Sequence, residues 1–316
     1  MSQAKIPRYL IRLLLFLLLP AGAWVWLEIR VAHIPNSYNT KRTYFEKSMG
    51  NVETLILGPS HALFGVNPAD LRGVVFNLSQ INQSVYYDQA LLLKYLDRMP
   101  HLQQILWCIP STSLWQSLDL TPDYWRDYFY FHFWDLNSPY ISWKSPMRYS
   151  YVALYGTDKV LEYLGKGLRV NLSDTIDEHG WLHAHGNSDS LGEGPGRRHA
   201  ALHSTYFAHE AAYRDNRRRL HEMLELCRSK KIRMILFECP LLPYYKDHLN
   251  PKMIAQTRQV LEEMSRQYHI PYLDYSSDSV FHAADFYDDD HLNVGGANKF
   301  TPLLQQGIDQ AEEDGY

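Results

Sequence analysis

Cysteine is scarce in this chain. Three residues in 316 (Cys108, Cys227 and Cys239), an odd number, exclude a disulfide framework as the source of stability. Basic clusters are lacking as well. The formal net charge is −4 and no dense Lys/Arg stripe occurs, which argues against a nucleic-acid partner. There are no internal repeats and no low-complexity runs. Firm metal-binding spacing is missing too: His183-x-His185 and His199-x-x-x-His203 have no third ligand in a defined context, so neither a metal nor a cofactor is expected. What is present is a composition of 46% hydrophobic and 21% charged residues. That is enough for a packed core, and the length suits one large α/β domain or one domain with an insertion.

The N-terminus carries a long apolar run. Lys5, Arg8 and Arg12 precede the uncharged stretch from Leu13 to Leu27, which Ile29, Val31 and Ala32 extend around Glu28 and Arg30. A span wants about 20 apolar residues, and snorkelling arginines make a shorter run workable. The basic flank should stay in the cytoplasm and send the rest of the chain outward, with Trp24 and Trp26 at the outer interface. Residues 1–32 therefore read as a signal anchor. The rival is a cleaved signal peptide, because Ala21-Gly22-Ala23 has the small-x-small form of a cleavage site.

Residues 33–52 are polar without a clear period and read as a tether. Beyond them, short apolar runs at 54–57, 74–77, 104–110, 233–240 and 271–274 have the character of buried parallel strands. Helical patterns occupy 85–99, 205–230, 252–268 and 294–311. This alternation predicts an α/β fold with a parallel sheet covered on both faces, and sites in such sheets form at the carboxyl ends of the strands. Ser60, Ser79, Ser111 and Glu238 fall at or just beyond such ends. Residues 112–204 break the rhythm and read as an inserted, aromatic-rich cap, with Tyr124–Trp134 dense in rings that mostly pack the cap itself. Arg126 and Arg148 in the cap are candidates to contact an anionic glycan, although surface arginines commonly serve only to keep a face wet.

Two motifs carry chemistry. Glu53-Thr-Leu-Ile-Leu-Gly58-Pro59-Ser60-His61 reads as a buried strand stopping abruptly at a serine. Near the other end, Asp285-Phe-Tyr-Asp288-Asp289-Asp290-His291 puts an aspartate three residues before a histidine. A serine hydroxyl is a weak nucleophile until a base takes its proton, histidine suits that task, and a carboxylate behind the imidazole fixes its tautomer and stabilises its cation. Ser60 as nucleophile, His291 as base and Asp288 as orienter are the candidate catalytic residues. His61 reads as starting the next helix at the cleft rim, and Asp289 and Asp290 read as a solvated acidic loop.

These motifs resemble those of the SGNH/GDSL hydrolases. Gly58-Pro59-Ser60-His61 occupies the place of the Gly-Asp-Ser block, Asp288-x-x-His291 matches the final block, and Asn77-Leu-Ser79-Gln-Ile-Asn82 is similar to a degenerate second block. The resemblance covers about 33–110 and 205–312 and is strongest to membrane-anchored cell-envelope members, such as the alginate O-acetylation proteins and the SGNH protein of teichoic acid D-alanylation. It implies a flavodoxin-like three-layer fold for residues 53–316 around the insertion at about 112–204. It also implies acyl-ester hydrolysis or O-acyl transfer on an envelope polysaccharide or acylated glycan, beside a membrane-bound O-acyltransferase. Two departures stand out. Ser79 or Asn82 replaces the second-block glycine, leaving Ser60, Ser79 and Asn82 as oxyanion candidates, and Ile109-Pro-Ser-Thr-Ser113 contains no third-block asparagine. Two other readings follow: a catalytically silent envelope assembly or glycan-binding protein, and a lipid esterase or thioesterase.

Overall fold

Five short strands run parallel in one sheet, in the order β2-β1-β3-β4-β5: β1 Thr54–Leu57, β2 Val75–Asn77, β3 Gln104–Cys108, β4 Arg233–Glu238 and β5 Tyr272–Asp274. The structure, a computed structural model, describes residues 7–167 and 176–316. Continuous apolar runs suit strands buried on both faces, and Leu55, Ile56, Ile105, Leu106, Ile235 and Leu236 are all fully buried. The register aligns Ile56 with Leu106 and Leu106 with Ile235 across the centre of the sheet. β3 stops at Cys108, two residues short of the expected end. Pro110 follows there, and proline has no N–H to continue a ladder.

Helices flank the sheet. Val85–Tyr95 tightens into a 3-10 turn at Leu96–Arg98, before Pro100. Pro251–Tyr268 begins with proline at its first position, and the Asn250 side chain accepts from Lys252 N and Met253 N. The expected helix over 205–230 starts later, at Glu210, after a 3-10 turn at Thr205–Ala208. Val294–Glu313 closes the chain and buries Phe300, Leu304 and Ile308 in one cluster with Ile56, Ala62 and Val66 from the β1 region.

The chain divides into two units. Among the described residues, one takes 7–39 with 125–167, and the other takes 40–124 with 176–316 and holds the whole sheet. In the first, helix Arg8–Ala32 is long and apolar enough to cross a membrane. Its Val31 packs with Ile34, Val160 and Tyr163, and Glu28 accepts from the Tyr151 N–H at 2.7 Å. The aromatic segment of this unit is helical over Arg126–Trp134, and Tyr128, Phe129, Tyr130, Phe133 and Trp134 are buried. Those rings are core, as their density suggested. The stretch read as a tether contains a helix, Ser37–Ser48. In the sheet-bearing unit its buried Phe45 packs against Phe76 and Tyr95, and Lys41 donates from its ammonium to the Ser79 carbonyl. Polar composition hid these tertiary anchors.

Candidate active site

Ser60 is the first residue of helix Ser60–Gly65, at the carboxyl end of β1 and beside the β1/β3 switch point where the strand order reverses. Gly58 makes the turn possible. Its φ of +128° is one that L side chains rarely adopt, and a Cβ there would lie 2.5 Å from the Cys108 carbonyl oxygen. The Gly58 N–H donates to buried Asp88, which also accepts from Gln83 Nε2 and Trp107 Nε1. Asn77, at the end of β2, donates from its amide to the carbonyls of Ala62 and Val66, so the helix carrying Ser60 is held at both ends.

Asp288 and His291 sit on a tight loop. An antiparallel bridge joins Phe286 to Leu292, and Asn293 donates to the Ala284 and Phe286 carbonyls while capping the last helix through Gly296 N. Leu292 packs into the cluster that contains Ala62 and Val66, and this shared apolar contact brings the two distant motifs together. The result is a continuous relay. Ser60 Oγ lies 2.7 Å from His291 Nε2, and His291 Nδ1 lies 2.8 and 2.9 Å from the two oxygens of Asp288. Asp288 Oδ1 also accepts from the His291 backbone N–H at 2.9 Å, which fixes the carboxylate.

Asp289 and Asp290 are not a solvated loop. Both are buried, Asp290 with 1% of its surface exposed. Asp289 accepts from Gly192 N at 3.0 Å. Asp290 Oδ1 lies 3.1 Å from His291 Nδ1, a second carboxylate on the ring that spacing alone did not single out. His61 does not stand at the rim. It is 5% exposed, with Nε2 at 3.4 Å from Asp290 Oδ2 and its ring 5.3 Å from that of His291. Burial by itself would lower the His291 pKa, but Asp288 and Asp290 outweigh it and hold the imidazole well above its usual value. Burial would raise Asp290, yet His291, His199 and His61 hold it well below the ordinary carboxylate range. This setting favours the imidazolium that forms when a serine gives up its proton.

The oxyanion candidates fare differently. Ser60 N–H opens a helix, where the first N–H groups have no intrahelical acceptor. The Ser79 N–H donates to Asn77 Oδ1 at 3.1 Å, and the Asn82 amide donates to Asp123 at 2.5 Å, so both are engaged away from Ser60. Sequence reasoning passed over the neighbour, Gln80. Its N–H donates to the Gly58 carbonyl, and its Nε2 is buried with no acceptor. At the place of the third block, Ser111 donates to Glu238 at 3.2 Å, while the Ser113 hydroxyl is buried and unpartnered.

No protein-family model matches the chain, and no curated protein matches it. Among solved structures, the chain is similar to a GDSL-like lipase from Bacteroides thetaiotaomicron (11% identity, 87% of this chain and 99% of that one, TM-score 0.42). It is also similar to an acylhydrolase, so described provisionally, from Bacteroides fragilis (12%, 90% and 94%, 0.38) and to a lipase/acylhydrolase from Enterococcus faecalis (12%, 82% and 96%, 0.37). At these scores the weight falls on the geometry of Ser60, His291 and Asp288.

Proposed function

We propose that the chain is a membrane-anchored serine acyl-ester hydrolase or O-acyltransferase that works through an acyl-Ser60 intermediate. The observation that carries this reading is the hydrogen-bonded series Ser60–His291–Asp288, with both links between 2.7 and 2.9 Å. Ser60 Oγ attacks the ester carbonyl as His291 Nε2 takes its proton. The tetrahedral intermediate collapses, the C–O bond to the leaving alcohol breaks, and His291 returns the proton to that alcohol. A second oxygen nucleophile then gives its proton to His291 and attacks the acyl-Ser60 carbonyl; the C–O bond to Ser60 Oγ breaks, and His291 returns the proton to the serine. Water as acceptor gives hydrolysis, and a sugar hydroxyl gives transfer. The Ser60 N–H, at the start of its helix, and the buried Gln80 Nε2, unpartnered among the described residues, are the donors we assign to receive the oxyanion.

The helix Arg8–Ala32 and the basic residues before Leu13 support an anchor with the site outside the cytoplasm. A tethered enzyme of this kind meets substrates at the membrane face, and the motif resemblance favours an acylated envelope polysaccharide, supplied by a membrane-bound O-acyltransferase. A second reading, a silent scaffold, is favoured by one observation: the Ser79 N–H and the Asn82 amide are committed to Asn77 and Asp123. Reaction of the purified full-length chain with a fluorophosphonate probe separates the two. Labelling on Ser60 that disappears in Ser60→Ala supports the enzyme, and folded protein that takes no label supports the scaffold. Release or transfer of acetate from an acetylated glycan, compared with long-chain lipid esters, then tests the substrate class.

A further inference from the structure

His199-x-x-x-His203 lies on helix Glu193–Ser204, where residues four apart share a face. That helix rests against the loop carrying the three aspartates because position 196 is glycine. A Cβ there would stand 2.8 Å from the Tyr244 carbonyl oxygen and 2.9 Å from Asp289 Cγ. The close approach supplies what the spacing of the two histidines lacks, a third ligand. We propose that His199, His203 and Asp290 form a binding site for one zinc-like divalent cation, next to the Ser60 relay.

The ligand atoms of these three residues lie within 4.8 Å of one another. Bonds of about 2.0–2.2 Å in a tetrahedral site put neighbouring ligand atoms about 3.3–3.5 Å apart. His199 Nδ1 and Asp290 Oδ1 already stand at 3.4 Å. That distance is too long for a good hydrogen bond, and among the described residues neither oxygen of Asp290 meets a donor in good hydrogen-bond geometry, although the residue is 1% exposed. Both ring nitrogens of His61 are likewise buried without hydrogen-bond partners among the described residues, and its Nε2 stands 3.4 Å from Asp290 Oδ2. Three imidazoles thus crowd Asp290 at 3.1–3.4 Å, an arrangement that a bound cation would complete. His203 also has the support a ligand needs. Its Nδ1 lies 2.6 Å from the Tyr245 hydroxyl, and with the Nδ1 proton donated to that oxygen Nε2 is left for the cation. Imidazole and carboxylate donors suit zinc and its first-row neighbours better than calcium or magnesium. Three protein ligands leave a fourth position for water or for His61. The other grouping with ligand atoms close enough among the described residues, Asp288, Asp290 and His291, is a poorer candidate, because both ring nitrogens of His291 are already occupied by Asp288 and Ser60.

The experiment uses the full-length chain in detergent, stripped with a chelator and dialysed against zinc or cobalt(II). We expect about one metal per chain by elemental analysis and the intense visible bands of four-coordinate cobalt. Both signals should be retained in Ser60→Ala and lost in His199→Ala and in His203→Gln, with folding checked by thermal melts. Footprinting the wild-type chain with diethyl pyrocarbonate needs no variant: zinc should protect His199 and His203 from modification. Absence of stoichiometric metal, rings that stay reactive in zinc, or binding that survives both histidine substitutions would overturn the proposal. None of these readouts uses esterase activity, so they stand whatever the fluorophosphonate result.

Discussion

Replacing Gly58 by alanine should damage both stability and the site. The added Cβ would lie 2.5 Å from the Cys108 carbonyl oxygen and 2.8 Å from its Cβ. Neither atom can swing away, because one belongs to the backbone of β3 and the other is fixed to it. The φ of +128° adds conformational strain of about 1–3 kcal/mol for a residue with a side chain. Parting β1 from β3 to relieve the overlap costs about 1–3 kcal/mol more, as overpacking in a core does. The total of about 2–6 kcal/mol is a large share of the roughly 5–15 kcal/mol that holds a typical domain together. For a unit of this size it corresponds to a fall in Tm of about 4–24 °C. Because Ser60 follows two residues later, fluorophosphonate labelling should slow as well. Gly50→Ala is the control. Nothing lies within 4 Å of its Cβ position, and the change should stay within about 0.5 kcal/mol. Thermal unfolding and labelling kinetics on the three proteins decide the matter. A Gly58→Ala protein with unchanged Tm and labelling rate would refute the account of how β1 delivers Ser60.

The remaining predictions concern the relay and the buried carboxyls. Losing the orienting carboxylate of a serine triad costs about 10⁴ in rate. Here Asp290 stands 3.1 Å from the same nitrogen, so Asp288→Asn should slow ester turnover by only about 10², and the full loss should need Asp288→Asn with Asp290→Asn. Equal rates in the single and double variants would remove Asp290 from the relay. Asn77→Ala leaves the Ala62 and Val66 carbonyls and the Ser79 N–H without their buried partner, and urea titration should report a loss of about 2–4 kcal/mol. Burial raises Asp88 to about 7 from an ordinary 3.8, and burial with Asp274 nearby raises Glu238 to about 7 from 4.5. A raised folded-state pKa means the folded protein holds these protons more tightly. Their contribution is therefore complete below about pH 4 and lost as pH climbs through about 7. Glu238→Gln can keep its bonds to the Ser111 and Tyr272 hydroxyls, which rotate, and should flatten the fall in Tm between these limits; an unaltered slope would contradict the assignment.

Much of the scaffold was legible locally. A parallel strand covered on both faces must be apolar through its middle, so 54–57, 104–108 and 233–238 announce themselves in four to six residues. The Asp-x-x-His spacing likewise confines Asp288 and His291 to one short loop whatever surrounds it. Other features depend on partners from remote segments, and no local pattern encodes those. The polarity of 37–48 suggested a tether until Phe45 met Phe76 and Tyr95. Ser79 and Asn82 had the right residue types for an oxyanion hole, but Asn77 and Asp123 claimed their donors. Asp290 and His61 had the composition of exposed loop and rim, yet the folded chain leaves them 1% and 5% exposed. Secondary structure follows from the periodicity of neighbouring residues, whereas burial, hydrogen-bond competition and charge pairing are set by whichever groups the folded chain brings within a few ångströms.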